Sequence, residues 1–240
     1  MAQMRMSKQK VFSAAELDEH DHIRPAALLD LFQQLAGEHA EMLGVGFDAL
    51  YRQGRLWVIS RIKAVIERTP ALYETVTAET WPEPTGRVDF DRDYLVRGAD
   101  GRIIARGVSK WCVIDLNSRR LVRAQDIIFP GEFCMEKTFE TPFTKLAQQE
   151  SLPIAFEHTV RRSDLDHNGH MNNARYGELL LDAVPTDRMI RAFQIDFLHE
   201  ALHNEMIAIH SSQEENAISL YGTVEDKPCF AAYAETKAFS

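Results

Sequence analysis

The chain has 240 residues, 45% of them hydrophobic and 26% charged, with 12 Gly and 9 Pro. That composition excludes a collagenous, low-complexity or disordered chain, and the length is comfortable for two domains of about 120 residues. The net charge of −9, from 27 basic and 36 acidic residues, argues against a general nucleic-acid binder, whose affinity comes from accumulated Lys and Arg.

The first ten residues, MAQMRMSKQK, carry no apolar stretch after their charges, so they do not read as a signal peptide. No apolar run approaches the roughly 18 to 20 residues of a membrane span. Three scattered cysteines, Cys112, Cys134 and Cys229, are too few for a disulfide framework or a Cys-based zinc site. Each is expected to be a buried, inert thiol. A soluble, reduced, cytoplasmic protein is the expectation.

Along the chain the pattern occurs twice. Glu16-Leu17-Asp18-Glu19-His20-Asp21-His22-Ile23 matches Asp164-Leu165-Asp166-His167-Asn168-Gly169-His170-Met171 at an offset of 148. Helical periodicity follows the first copy at Leu28, Phe32, Leu35, Ala36 and Leu43, and the second at Tyr176, Leu180 and Val184. Ile62, Ala64, Ile66, Glu74, Val76 and Ala78 then match Phe193, Ile195, Phe197, Glu205, Ile207 and Ile209 at an offset of 131. The difference of 17 is an insertion in copy one, between helix and strand, around GVGFDALYRQGRL. Alternating segments close each copy: Val88–Arg97 and Ile103–Asp115 around a turn at Gly98–Gly101, then Ala217–Val224 and Cys229–Glu235 around Glu225–Pro228. The stretch from Asp126 to Leu152, with Pro130 and Pro142, reads as a linker. The predicted fold class is α+β, with units at 1–125 and 153–240 joined by 126–152. Each unit is a helix wrapped by a curved antiparallel sheet, an intramolecular pseudo-dimer.

The densest polar cluster is Asp164–Asn173, DLDHNGHMNN. Its D-x-D-x-N-G opening resembles a calcium loop, but the twelfth position, where such a loop needs a bidentate carboxylate, is Arg175. Some of these residues can cap a helix starting near Asn172, with Gly169 making the turn, yet capping needs one side chain and not four. The remaining reading is catalytic. Asp166, Asn168 and His170 converge on a helix start whose backbone N–H groups can bind a developing oxyanion.

A second motif, His199-Glu200-Ala201-Leu202-His203, spells H-E-x-x-H. A zinc protease needs that motif on a helix. Periodicity at Ile195, Leu198, Leu202 and Ile209 leaves a helix open, and Glu225 could supply a distant third ligand. The repeat argues otherwise, because Pro70 occupies the position matching Ala201 and the flanks in copy one are β-rich. The extended metzincin pattern also fails, at Met206 and Ile209. A turn between strands with Glu200 at its apex is expected, with no metal.

The pattern Asp166-x-Asn168-x-His170-Met171-Asn172-Asn173-x-x-Tyr176 resembles the signature of acyl-acyl-carrier-protein (acyl-ACP) thioesterases of plants and bacteria. Copy one is similar to the same family at Gln33…Ala36…His39, Trp57-Val58-Ile59-x-Arg61, Ser109-x-Trp111 and Arg119-Arg120. The resemblance implies a tandem (double) hot-dog fold with an acyl pocket largely from the first unit and catalysis in the second. It implies hydrolysis of fatty acyl-ACP to free fatty acid and holo-ACP, with no cofactor. It places the family's functional positions on Asp166, Asn168, His170 and Glu200. In plant members the residue after the Glu is a Cys once assigned as nucleophile; Ala201 stands there in this chain, so a Cys–His–Asn mechanism is unavailable. In copy one His20 replaces the Asn and Thr69 the Glu, and that half-site is expected to be inactive. No transit peptide is read before the first unit, which suggests a bacterial type.

The chemistry suits the inventory. Thiolate is a good leaving group, so hydrolysis needs an activated water or carboxylate nucleophile and oxyanion donors rather than a metal. The implied partner is ACP bearing a phosphopantetheine-linked acyl chain; no nucleic acid or membrane span is implied, and a homodimer stays open. Because both ACP and this chain are acidic, docking requires a local basic face. Arg161, Arg162, Arg175, Arg188 and Arg191 flank the catalytic segment in sequence and are the candidates. Three alternatives remain: an acyl-CoA thioesterase of the same fold, a hot-dog hydratase and a non-enzymatic acyl-binding regulator. The hydratase pattern D-x-N-P-x-H is not met, since His170 follows Asp166 by four residues with no Pro between. The regulator would bring a basic DNA-binding segment that the first ten residues do not hold.

Overall fold

A computed structural model describes residues 4–146 and 152–239. The five residues 147–151, inside the expected linker, lie outside the described residues.

Compact unit one takes the residues up to Ala14 together with Asp30–Pro142, and unit two takes Ala15–Leu29 with Phe143 onward. Against the boundaries read from sequence, Ala15–Leu29 groups with the second unit and 126–142 with the first. Local packing gives the reason for Ala15–Leu29. The rings of His20 and His22 lie against Phe239, at centroid distances of 4.4 and 5.2 Å, and Arg24 faces Glu178.

Unit one contains strands β1 (Met6–Val11), β2 (Arg55–Ile66), β3 (Thr75–Pro82), β4 (Asp89–Arg97) and β5 (Ile103–Asp115). They form an antiparallel array in the order β1-β3-β4-β5-β2. Helix α1 (Pro25–Met42) lies mostly in this unit, and the 17-residue insertion holds the short helix α2 (Phe47–Tyr51). Phe32 of α1 stacks on Tyr94 of β4 at 4.3 Å, and Gly107 of β5 lies so close to the Phe32 ring that a Cβ would stand 2.3 Å from it. The helix therefore packs on the face that carries Tyr94. On that face His39, buried, receives a hydrogen bond from Arg92 (3.0 Å), and Tyr94 bonds Ser109 (2.7 Å).

Unit two repeats the plan with β6 (Ile154–Thr159), β7 (Arg188–Phe197), β8 (Met206–Glu214), β9 (Ala217–Val224) and β10 (Lys227–Ala238), in the order β7-β10-β9-β8-β6. Its helix α3 (Arg175–Ala183) has only nine residues. The internal repeat extends further than the sequence match. β6 begins and ends 148 residues after β1, and Val11 opposite Thr75 is reproduced by Thr159 opposite Met206. Both expected hairpin turns form, at Gly98–Gly101 and at Glu225-Asp226, whose two positive φ angles (49° and 62°) suit a two-residue turn.

Among the described residues no helix is long and apolar enough to cross a membrane. Of the three thiols only Cys229 is buried; Cys112 and Cys134 are partly exposed, which corrects the expectation for those two.

Candidate active site

The predicted site lies within unit two. Asp166 organises a tight turn. Its Oδ1 accepts the backbone N–H groups of Asn168 (2.8 Å) and His170 (3.1 Å), and its Oδ2 accepts the Asn168 side-chain amide (3.3 Å). Backbone bonds from Asp166 N to His170 O (2.8 Å) and from Gly169 N to Asp166 O (3.1 Å) close the loop. Gly169 sits at φ +81°, where a side chain would be strained. An Asx-type turn of this kind is what a short acidic side chain two to four residues before the turn can do locally.

His170 leaves this turn toward the connection between β7 and β8. Its Nδ1 lies 3.3 Å from Glu200 Oε2, and the two side chains are 33% and 48% exposed, so water reaches both. The connection is fixed to the turn by backbone contacts. Met171 N donates to Ala201 O (2.8 Å), and His170 pairs with Leu202 as an antiparallel bridge. Ala201 is fully buried.

Three local expectations are corrected. Helix α3 begins at Arg175 and not near Asn172, because Asn172 forms the turn that leads into it: its Oδ1 accepts Ala174 N (2.9 Å) and its carbonyl accepts Arg175 N (2.9 Å). Those amides are therefore engaged at the helix entry and do not face the Asp166 turn as oxyanion donors. The H-E-x-x-H segment is a strand connection, as expected, but its apex is His203-Asn204, with Asn204 at φ +69° and Glu205 N bonded to Leu202 O (3.1 Å). Glu200 lies before that apex, beside His170. Finally, His199 donates from Nδ1 to Pro228 O (2.8 Å), so it is engaged away from any helical ligand pair. Among the described residues no group of three or more His, Cys, Asp or Glu is placed to hold a metal ion.

The first-copy turn has the same construction. Asp18 Oδ1 accepts from His20 N (2.9 Å) and His22 N (2.8 Å), and Asp18 N donates to His22 O (2.8 Å). The difference is in the histidine: His22 Nδ1 faces its own Asp18 at 3.3 Å, where His170 faces Glu200.

The candidate arginines divide. Arg161 and Arg162 are exposed just before the Asp166 turn, and Arg175, half-buried, opens α3 with Glu178 3.9 Å away. Arg188 donates to Thr236 (2.9 Å) and Asn216 (2.8 Å) at the start of β7. Phe197 stands nine positions further on, about 30 Å along a strand, so Arg188 and neighbouring Arg191 are remote from Glu200.

Sequence reasoning missed the residues that hold the Glu200 segment from behind, namely Tyr176, His199 and Cys229. Tyr176 lay inside the motif without a role, and nothing in the linear pattern ties Cys229 to it.

The sequence model of the acyl-ACP thioesterase N-terminal domain matches residues 6–130, and that of the C-terminal domain matches 147–227. An oleoyl-acyl carrier protein thioesterase of Coriandrum sativum is 27% identical over 213 residues, covering 78% of this chain and 57% of the relative. A palmitoyl-acyl carrier protein thioesterase of Gossypium hirsutum is 27% identical over 218 residues, covering 80% and 52%. The chain thus spans little more than half the length of these curated relatives. An acyl-ACP thioesterase structure from Bacteroides thetaiotaomicron superposes with a TM-score of 0.86 at 24% identity, over 98% of each chain. The 12:0-ACP thioesterase of Umbellularia californica superposes at 0.84 and 20% identity, over 100% and 99%. The fold is thus the expected α+β tandem hot-dog, and with both domain models matched in order the chain belongs to the acyl-ACP thioesterase family.

Proposed function

We propose that this chain hydrolyses the thioester of fatty acyl-ACP, releasing free fatty acid and holo-ACP in the cytoplasm as the end step of fatty-acid synthesis. The observation that carries the reading is the His170–Glu200 pair, held beside a turn that Asp166 orders, in a chain of this family.

With Nδ1–H directed at Glu200, the His170 Nε2 is the base that takes a proton from water as the water oxygen attacks the thioester carbonyl. Glu200 keeps the imidazole in that tautomer and stabilises the imidazolium that forms. The tetrahedral oxyanion then collapses, the carbon–sulfur bond breaks, and His170 returns the proton to the departing phosphopantetheine thiolate. Asn168, whose amide donates one hydrogen to Asp166 and has a second to give, is the oxyanion donor in this scheme. Asp166 positions rather than attacks: both its oxygens accept hydrogen bonds that a nucleophilic carboxylate would have to surrender. The acyl chain is assigned to unit one. Arg161, Arg162 and Arg175 form the rim that meets the acidic carrier, acting mainly on association rate and salt dependence.

The test is hydrolysis of matched acyl-ACP and acyl-CoA thioesters. The reading expects a higher kcat/KM on the carrier-protein substrate. A preference for CoA selects the acyl-CoA thioesterase of the same fold, and hydrolysis of neither overturns an enzymatic role.

A further inference from the structure

Behind Glu200 a set of contacts ties its segment to β10 and to α3. At Cys229 the pairing of β10 with β9 shifts register, between Pro228 opposite Thr223 and Phe230 opposite Gly222. On the other side of β10, where Phe230 pairs with Phe197 of β7, the Cys229 carbonyl continues the pairing and accepts two consecutive N–H groups, from Leu198 (2.9 Å) and His199 (3.0 Å). In return the Cys229 thiol donates to His199 O at 3.4 Å, and the His199 imidazole donates from Nδ1 to Pro228 O at 2.8 Å. The residue just before Glu200 is therefore held through its backbone N–H, its carbonyl and its side chain. The residue just after it, Ala201, is held through its carbonyl by Met171 N. Glu200 lies between these two neighbours, with its carboxylate 3.3 Å from His170 Nδ1.

The clamp also reaches α3. Tyr176, in the first turn of α3, places its hydroxyl 3.5 Å from Cys229 Sγ, and its ring packs edge-on against Phe197 and Phe230. A thiol that donates to His199 O accepts from Tyr176 O–H, which gives one direction of donation from Tyr176 through Cys229 to His199. Burial pushes both the Tyr176 phenol and the Cys229 thiol up, so both keep their protons.

We infer that Tyr176, Cys229 and His199 are positioning residues for the thioesterase reaction, holding Glu200 within reach of His170 from behind the site. The inference rests on the reading of Glu200 as the partner of the catalytic His170. None of the three touches substrate in this scheme. Their effect is on geometry, where a misplacement of about 1 Å can cost on the order of 100-fold in rate.

The experiment is a double-mutant cycle on the full chain with acyl-ACP as substrate, combining His199→Ala with Glu200→Gln. His199 is exposed, so its removal leaves the core intact. His199→Ala is expected to lower kcat roughly tenfold with KM and Tm little changed. His199→Asn, whose amide nitrogen falls where Nδ1 stood, is expected to restore most of the loss. In the Glu200→Gln background His199→Ala should cost little further, because the carboxylate being positioned is gone. Cys229→Ala should show the same dependence on background, with a smaller kcat effect. Equal losses in both backgrounds, or a fall confined to KM or Tm, would make the contacts merely structural and overturn the inference. Full activity of His199→Ala beside a crippled Glu200→Gln overturns it while leaving Glu200 in place. Full activity of Glu200→Gln removes the reading on which it stands.

Discussion

Asp166 and His170 are four residues apart and do different work, and substitutions separate them. Removing the imidazole in His170→Ala should cut kcat by roughly 10²- to 10⁴-fold, the usual worth of a positioned acid–base group. Asp166→Ala should be comparably damaging, because the amides of Asn168 and His170 lose their acceptor and the turn loosens. Asp166→Asn discriminates between roles: an amide oxygen still accepts both N–H groups, so a positioning Asp predicts loss within roughly tenfold, whereas a nucleophile predicts inactivity equal to Ala. Steady-state kinetics on acyl-ACP read the difference. Cys112→Ser and Cys134→Ser are expected to leave turnover within about twofold, since Ala201 stands where a nucleophilic Cys would follow Glu200 and the scheme uses no thiol. Substrate-protected inactivation by alkylation of either would contradict this. Asp166 and His170 were read from one local motif, whereas Glu200, thirty residues further on, entered the candidate site only through the family resemblance. Cys229 was not legible, because its role depends on the pairing of β10 with β7, which brings it against a segment thirty residues earlier.

At the scale of elements, the two offsets predicted the paired strands well. Val88–Arg97 and Ile103–Asp115 became Asp89–Arg97 and Ile103–Asp115, and Ala217–Val224 matched its strand residue for residue. A leading strand was expected before the helix of each unit, but β1 and β6 could not be given bounds, since four of six residues in β1 and three of six in β6 are exposed and polar alternation there is weak. The start of α3 was misplaced because Asn172 looks like a helical residue in the motif but spends its side chain on the turn before the helix. The same helix carries a testable packing constraint. A Cβ added at Gly177 would stand 2.7 Å from Ala26 N and 3.0 Å from Ala26 Cα, both backbone atoms. Alanine would gain about 1 kcal/mol of helix propensity, but the overlap should cost about 1–3 kcal/mol, and the overlap should win. Gly177→Ala is therefore expected to lower the denaturation midpoint; an unchanged or raised midpoint would show that α3 shifts freely.

For the whole molecule, the acidic composition hides an internal economy of charge. The stretch read as linker is in part a strap on unit one: Trp81 Nε1 donates to Glu136 O (2.8 Å), Thr138 donates through N (3.1 Å) and Oγ1 to Asp93, Lys137 pairs with Glu83, and Arg106 donates to Thr138 O (3.1 Å). Composition could not show this, because the strap has no periodicity and its partners lie on strands 30 to 55 residues earlier. Burial, with the Glu83 carboxyl beside it, pushes Asp93 up from 3.8 to about 7, against the lowering by Thr138; Asp91, Lys110 and Lys137 complete the charged surroundings. Between pH 4 and 7 the folded chain keeps a proton that the unfolded chain releases, so this group's contribution to stability falls as pH rises and is level above about pH 7. Denaturant midpoints across that window should show the slope, and Asp93→Asn should flatten it; an identical slope in the variant would assign it elsewhere. The central claim, that the His170–Glu200 pair in unit two hydrolyses acyl-ACP, is tested most directly by thiol release from acyl-ACP in the presence of EDTA, wild type beside His170→Ala and Glu200→Gln. The account predicts metal-independent release by the wild type and a loss of roughly 100-fold or more in both variants. Release abolished by EDTA, or undiminished in His170→Ala, would contradict it.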